Sequence, residues 1–151
     1  MNSGNSVQIV EVPEMKLVGF SVTCPFNGHI PERVEKMKLE FYERKEEIRN
    51  KVHPERYISP CFSSEVLFTY LICMEVSDLS EVPEGMIGFT VPPHRYATTK
   101  CQGDPYQVIH DYLGSIGLQS DKRALALEVY SFANPVWPDE TEVLLPLKKA
   151  E

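Results

Sequence analysis

The chain contains no apolar run long enough to cross a bilayer, no Cys-x-x-Cys pair, no glycine-rich phosphate loop and no Ser/His/Asp grouping. These absences argue against a membrane-spanning helix, a zinc ribbon or dithiol redox centre, a nucleotide phosphate cradle and a nucleophilic triad. His29, His53, His94 and His110 are scattered, so their ordinary reading is surface or packing and a metal site has little support. No cofactor is expected. Cys24, Cys61, Cys73 and Cys101 are widely spaced and sit mostly in apolar contexts, which reads as free buried thiols. Clusters of Lys and Arg are missing as well. With 15 basic and 22 acidic residues the net charge is −7, a balance that repels phosphate backbones and anionic lipid. Direct nucleic-acid and membrane partners are therefore not expected. A cationic ligand would be drawn to such a surface, although the same charge also serves solubility. Residues 1–6 are polar and short, without the basic start and apolar run of a secretion signal, so they read as a flexible N-terminus of a cytoplasmic protein.

At 151 residues the chain suits one domain, or two small units sharing a core. A weak duplication supports the second reading. Val12-Pro13 and Val91-Pro92 each lead, through two variable residues and a base, into an apolar strand. In the first half, Val34, Met37, Phe41, Ile48 and Val52 recur at helical spacing over 31–50, opposite a charged face that includes residues 43–47. Glu47 is expected to attract Lys51 on that face. Strands over 56–62 and 66–76 follow, and the acidic segment 77–85 reads as the junction. The second half opens with a strand over 86–101, bent at Pro92-Pro93 because proline cannot complete a central ladder. Asp104 is placed to cap a helix, with Pro105 at its first position and Gly117 at its end. Ile109, Tyr112, Leu113 and Ile116 form its apolar face. Strands over 124–132 and 141–147 complete the pattern. The expected class is α+β: two tandem β-α-β-β units, 7–80 and 84–149, related by a pseudo-two-fold axis. Antiparallel sheets would surround a central cleft formed by the faces free of helix, with the helices on the outer face.

The strand Ala124-Leu125-Ala126-Leu127-Glu128-Val129-Tyr130-Ser131-Phe132 carries a single carboxylate among apolar residues. Alternation turns Leu125, Leu127 and Val129 to one face and Ala126, Glu128, Tyr130 and Phe132 to the other. The second set is the inventory of a wall that receives an apolar cation. Its plain alternative is a solvated sheet face with an ordinary surface glutamate. A carboxylate enclosed by aromatic groups loses water, and its ionised form is expensive unless a cation arrives. Aromatic faces would add about 0.5 to 2 kcal/mol of cation attraction each. The candidate ligand-binding residues are Glu128, Tyr130, Trp137, Tyr96, Tyr70, Phe62, Phe20 and Phe89. Trp137 stands apart, in a Pro-flanked loop where a rim role and plain packing are equally open.

Four segments together resemble the GyrI-like family, the small-molecule-binding domain also found as the effector-binding part of AraC-type and MerR-type regulators. They are Val91-Pro92-Pro93-His94-Arg95-Tyr96-Ala97, Gly103-Asp104-Pro105-Tyr106, Leu127-Glu128-Val129-Tyr130 and Thr141-Glu142-Val143-Leu144-Leu145-Pro146-Leu147. The resemblance covers about 7–149 and implies a single effector-binding domain with an acid at the base of its cleft, at the position of Glu128. It also implies three functions: capture of lipophilic cations, interaction with DNA gyrase, and hydrolysis of cyclopropane-bearing genotoxins. The chain lacks the helix-turn-helix of the regulators, every residue being used by the two units, so a standalone member is expected. The favoured function is capture of an amphipathic, aromatic, cationic small molecule, linked to transcription regulation or toxin resistance. One alternative is a hydrolase in which Glu128 acts as general acid or base and Tyr130 or Tyr96 orients the substrate. The other is a protein-interaction module such as a gyrase modulator.

Overall fold

Period-two alternation and helical apolar stripes produce eight strands and two helices in the computed structural model, which describes residues 7–25, 31–63, 67–100, 104–121, 124–134 and 141–148. In chain order they are β1 (Gln8–Val12), β2 (Met15–Pro25), α1 (Pro31–Arg44), β3 (Arg56–Ser63), β4 (Leu67–Val76), β5 (Ile87–Val91), β6 (His94–Thr99), α2 (Pro105–Ile116), β7 (Ala126–Ser131) and β8 (Glu142–Pro146). The expected flexible segment 1–6 lies outside the described residues. No helix among those described is long and apolar enough to cross a membrane.

All strands join one antiparallel sheet in the order β1-β6-β8-β7-β3-β4-β2-β5. Exchanging β1 with β5, β2 with β6, β3 with β7 and β4 with β8 reverses this order onto itself, so a pseudo-two-fold axis passes between β3 and β7. The repeat includes an exchange that the sequence does not announce. Strand β1 pairs with β6 of the second unit, and β5 pairs with β2 of the first. The bent strand expected over 86–101 is therefore two strands with different partners. Prolines lack the N–H a ladder needs, and Pro92 and Pro93 separate the two.

These links also bend the sheet. In a flat sheet β1 and β2 would lie six strand spacings apart, roughly 29 Å. Three residue steps from Val12 to Met15 reach only about 11 Å. The sheet must therefore curl until its two ends approach one another. Inside the curl, Met15, Leu17, Ile58, Leu71, Cys73, Val91, Tyr96, Leu127 and Leu144 form one buried cluster contributed by seven strands. Both helices lie on the outer face. There α1 sets Met37 and Phe41 over Val18, Phe20, Ile72 and Met74, and α2 sets Ile109 and Leu113 over Ala97, Val143 and Leu145. The face free of helix, expected to line the cleft, is filled by its own side chains.

Helix α1 is shorter than its apolar stripe suggests. After Arg44 it tightens into a 3-10 turn, Lys45–Glu47, and Ile48 is already extended. Ile48 remains buried, but Val52 lies beyond the helix and is exposed. The expected Glu47–Lys51 attraction gives way to a two-pronged Arg44–Glu47 pair at 2.9 Å, while Lys51 reaches toward Glu46. Helix α2 begins and ends where the sequence indicates. Asp104 accepts a bond from the Tyr106 amide at 3.0 Å, and Gly117 takes the left-handed conformation, φ 75°, that closes the last turn.

Candidate functional site

Glu128 lies directly opposite Ser59 in the β3–β7 ladder, at the seam between the two units. The same register pairs Tyr57 with Tyr130 and Cys61 with Ala126, so alternation brings these six residues to the helix-bearing face. The outer face, between α1 and α2, thus holds the acid. Glu128 is 9% exposed, and each carboxylate oxygen accepts a tyrosine hydroxyl. Tyr130 donates to Oε1 and Tyr106, from the first turn of α2, donates to Oε2, both at 2.7 Å. The Cys61 thiol donates weakly to Oε2 at 3.7 Å. Among the described residues, no Lys or Arg forms an ion pair with this carboxylate.

The surroundings are aromatic. Tyr130 stacks on Tyr57 with centroids 5.1 Å apart, and Tyr57 meets Phe132 at 4.9 Å and Phe41 at 5.8 Å. Burial, and then the Glu128 charge, push the ionisation of Tyr130 and Tyr106 far above the usual phenol range. Burial raises Tyr70 to about 12, with Ser59 easing its ionisation and Glu128 opposing it. The Cys61 thiol is raised by burial and by Glu128. At neutral pH all of these groups stay protonated, and three of them act as donors to the acid. The arrangement satisfies a buried carboxylate with O–H and S–H donors and not with an ion pair among the described residues.

The aromatic residues proposed from sequence divide by strand parity. Tyr130 bonds to the acid, and Tyr70 lies across the β3–β4 ladder from Cys61 on the same face. Phe20 shares that face but packs under α1 three strands from Glu128, where Arg44 stacks on its ring at 5.6 Å. Tyr96 and Phe89 belong to the inner face and pack with the cluster inside the curl. Phe62 is offset by one residue from Cys61 and is exposed. Trp137 lies outside the described residues. The structure therefore brings Tyr130 and Tyr70 to the acid and separates Phe20, Tyr96, Phe89 and Phe62 from it. Tyr106, Cys61 and Tyr57 are the additional members. Tyr106 falls on the same stripe as Ile109 and Leu113, a signal readable in the sequence. Cys61 and Tyr57 become neighbours of Glu128 only through the β3–β7 register.

A family model for integron-associated effector binding proteins, Cass2, matches residues 8–140. No curated protein matches the sequence. Among solved structures, SAV2435 bound to tetraphenylphosphonium superposes with a TM-score of 0.71 at 15% identity, covering 95% of this chain and 94% of that one. The C-terminal domain of EcmrR gives a TM-score of 0.67 at 15% identity, covering 96% and 98%. A hydrolase from Listeria innocua gives 0.57 at 12% identity, covering 94% and 91%. At such identities these structures establish the shared fold. The family match spans most of the chain, which therefore belongs to the Cass2 family of integron-associated effector binding proteins, a GyrI-like small-molecule-binding domain of α+β architecture.

Proposed function

We propose that this protein captures an amphipathic aromatic cation against Glu128, on the outer sheet face between α1 and α2. The observation that carries this reading is a 9% exposed carboxylate with three neutral donors, ringed by Tyr57, Tyr70, Tyr106 and Tyr130 and in no ion pair with Lys or Arg among the described residues, Lys38 lying over the Tyr70 ring at 5.9 Å. Donor bonds offset part of the cost of burying the anion, and its net charge stays uncompensated in a medium of low dielectric. A lipophilic cation supplies that charge and lays its apolar surface against the aromatic rings. Such a site recognises charge and aromatic area more than outline, so a broad ligand range follows. SAV2435, of the same fold, was solved with a cation of this class, which supports the reading. In this scheme the protein is an effector-sensing or sequestering component of a regulatory or resistance response.

The experiment is a thermal-shift titration with tetraphenylphosphonium. Wild type should gain melting temperature in a concentration-dependent way, and Glu128→Gln should lose most of that gain while its ligand-free circular dichroism is unchanged. Equal shifts in the two proteins would refute capture at Glu128. The Listeria innocua hydrolase gives the enzymatic alternative a structural counterpart. Incubation with a cyclopropane-bearing alkylator, followed by mass spectrometry, separates the two: ring-opened product formed with turnover would favour hydrolysis, and unchanged reagent would favour capture.

A further inference from the structure

A concave site separate from Glu128 lies where the two proline links draw the ends of the curled sheet together. Its cavity of about 550 Å³ is bounded by Val12 and Pro13 at the β1–β2 link, Pro93 at the β5–β6 link, and Leu147 just after β8. The charged and polar rim consists of Glu11, His94, Arg95 and Lys148. The volume falls within the range of small-molecule sites, and the two rigid proline links supply preformed apolar walls. In register terms the cavity is about four residues along β6 and two strands across from Glu128, roughly 16 Å away.

The charges around it decide the kind of ligand. Arg95 and Lys148 are brought together by the β6–β8 connection, in which the Leu147 amide donates to the Arg95 carbonyl at 2.9 Å. Neither cation forms an ion pair with a carboxylate among the described residues. Glu11 is the cross-strand partner of Arg95 and is likewise in no such pair. The rim thus carries two cations and one anion, a local surplus of one positive charge in a chain of net charge −7. His94 Nε2 lies 2.9 Å from the Leu147 carbonyl. A carbonyl only accepts, so Nε2 carries the proton and the ring braces the cavity wall.

We infer that this seam cavity binds a small amphipathic monoanion, such as an aryl carboxylate, with its carboxylate on Arg95 and Lys148 and its apolar body between Val12, Pro13, Pro93 and Leu147. Arg95 offers the planar fork that matches a carboxylate, and Lys148 adds a point charge. The ligand class is opposite in charge to the one proposed for Glu128, so the two sites are distinguishable by experiment. Because the cavity is built from both links that hold the ends of the sheet together, its occupant also braces the closure of the fold.

The test uses 2-naphthoate as probe, with titration calorimetry and amide chemical-shift mapping on the full chain. Saturable binding is expected, with shifts centred on Val12, His94 and Arg95 and away from the β3–β7 ladder. The double variant Arg95→Gln/Lys148→Gln, both positions being exposed, should fold as wild type by circular dichroism and bind about tenfold more weakly or worse. The neutral 2-naphthylmethanol should show a similar loss. Absence of saturation, shifts confined to β3 and β7, or undiminished affinity in the double variant would each overturn the assignment.

Discussion

Replacing Tyr106 with Phe isolates the contribution of one hydroxyl to the buried acid, because the ring that fills the space between α2 and the sheet is kept. Wild-type Oε2 accepts from Tyr106 at 2.7 Å and more weakly from Cys61 at 3.7 Å, while Oε1 accepts from Tyr130 at 2.7 Å. A hydrogen bond to a charged group contributes about 1.5 to 3 kcal/mol, so Tyr106→Phe should lower the unfolding free energy by about 2 kcal/mol. In a cation complex the ligand charge stabilises the same oxygen, and the missing hydroxyl should cost about half as much, about 1 kcal/mol. The free protein thus loses more than the complex. Affinity for tetraphenylphosphonium should rise by about fivefold, the equivalent of that 1 kcal/mol difference. Urea denaturation gives the first quantity and titration calorimetry the second. If Tyr106→Phe weakened cation binding as Glu128→Gln does, the hydroxyl would be a ligand contact and the balance drawn here would be wrong. Unchanged stability would show that the bond contributes nothing in solution.

Further expectations concern pH, capping and packing. Tyr57, Tyr106 and Tyr130 are held well above the ordinary phenol value and Tyr70 at about 12, chiefly by burial. Above pH 10 the unfolded chain releases phenol protons that the folded chain retains. This stability is therefore complete below pH 10 and is lost as pH rises toward the folded values, by at most about 1.4 kcal/mol per pH unit for each tyrosine. Urea midpoints at pH 9 and pH 11 should differ strongly, and equal midpoints would contradict the burial of these hydroxyls. Asp104→Ala removes the acceptor for the Tyr106 amide and should cost about 1 kcal/mol of stability, read from the same urea curves. Gly19→Ala would drive a methyl into the backbone of Ile72 and Cys73 on the neighbouring strand β4. Overpacking against backbone should cost about 3 kcal/mol, seen as a lowered melting temperature, and a tolerated substitution would disprove the close approach of β2 to β4.

Much of the architecture was legible in the sequence because its signals are local. Asp104, Pro105 and Gly117 mark α2 through backbone groups within one helical turn. Alternation of Ala126, Glu128, Tyr130 and Phe132 announces a face before the rest of the sheet is known. The end of α1 was less legible. Ile48 stays buried in an extended segment, so an apolar side chain at helical spacing continued the pattern after the helix had stopped.

What surrounds Glu128 depended on distant pairings. Cys61 is 67 residues away and Tyr106 is 22 away, and both reach the acid only once β3 pairs with β7 and α2 packs on the outer face. Tyr96 and Tyr130 look alike as strand aromatics, yet a parity set by their neighbours sends one into the curl and the other beside the acid. The repeated elements, the caps of α2 and the face shared by Glu128 and Tyr130 follow from residue spacing and backbone chemistry alone. Long-range pairing was needed to show that β1 and β5 exchange units, that the helix-free face curls around its own side chains and that the acid sits between the helices. Two short proline links cannot span a flat eight-stranded sheet, and that limit on chain reach is satisfied only when the whole sheet bends.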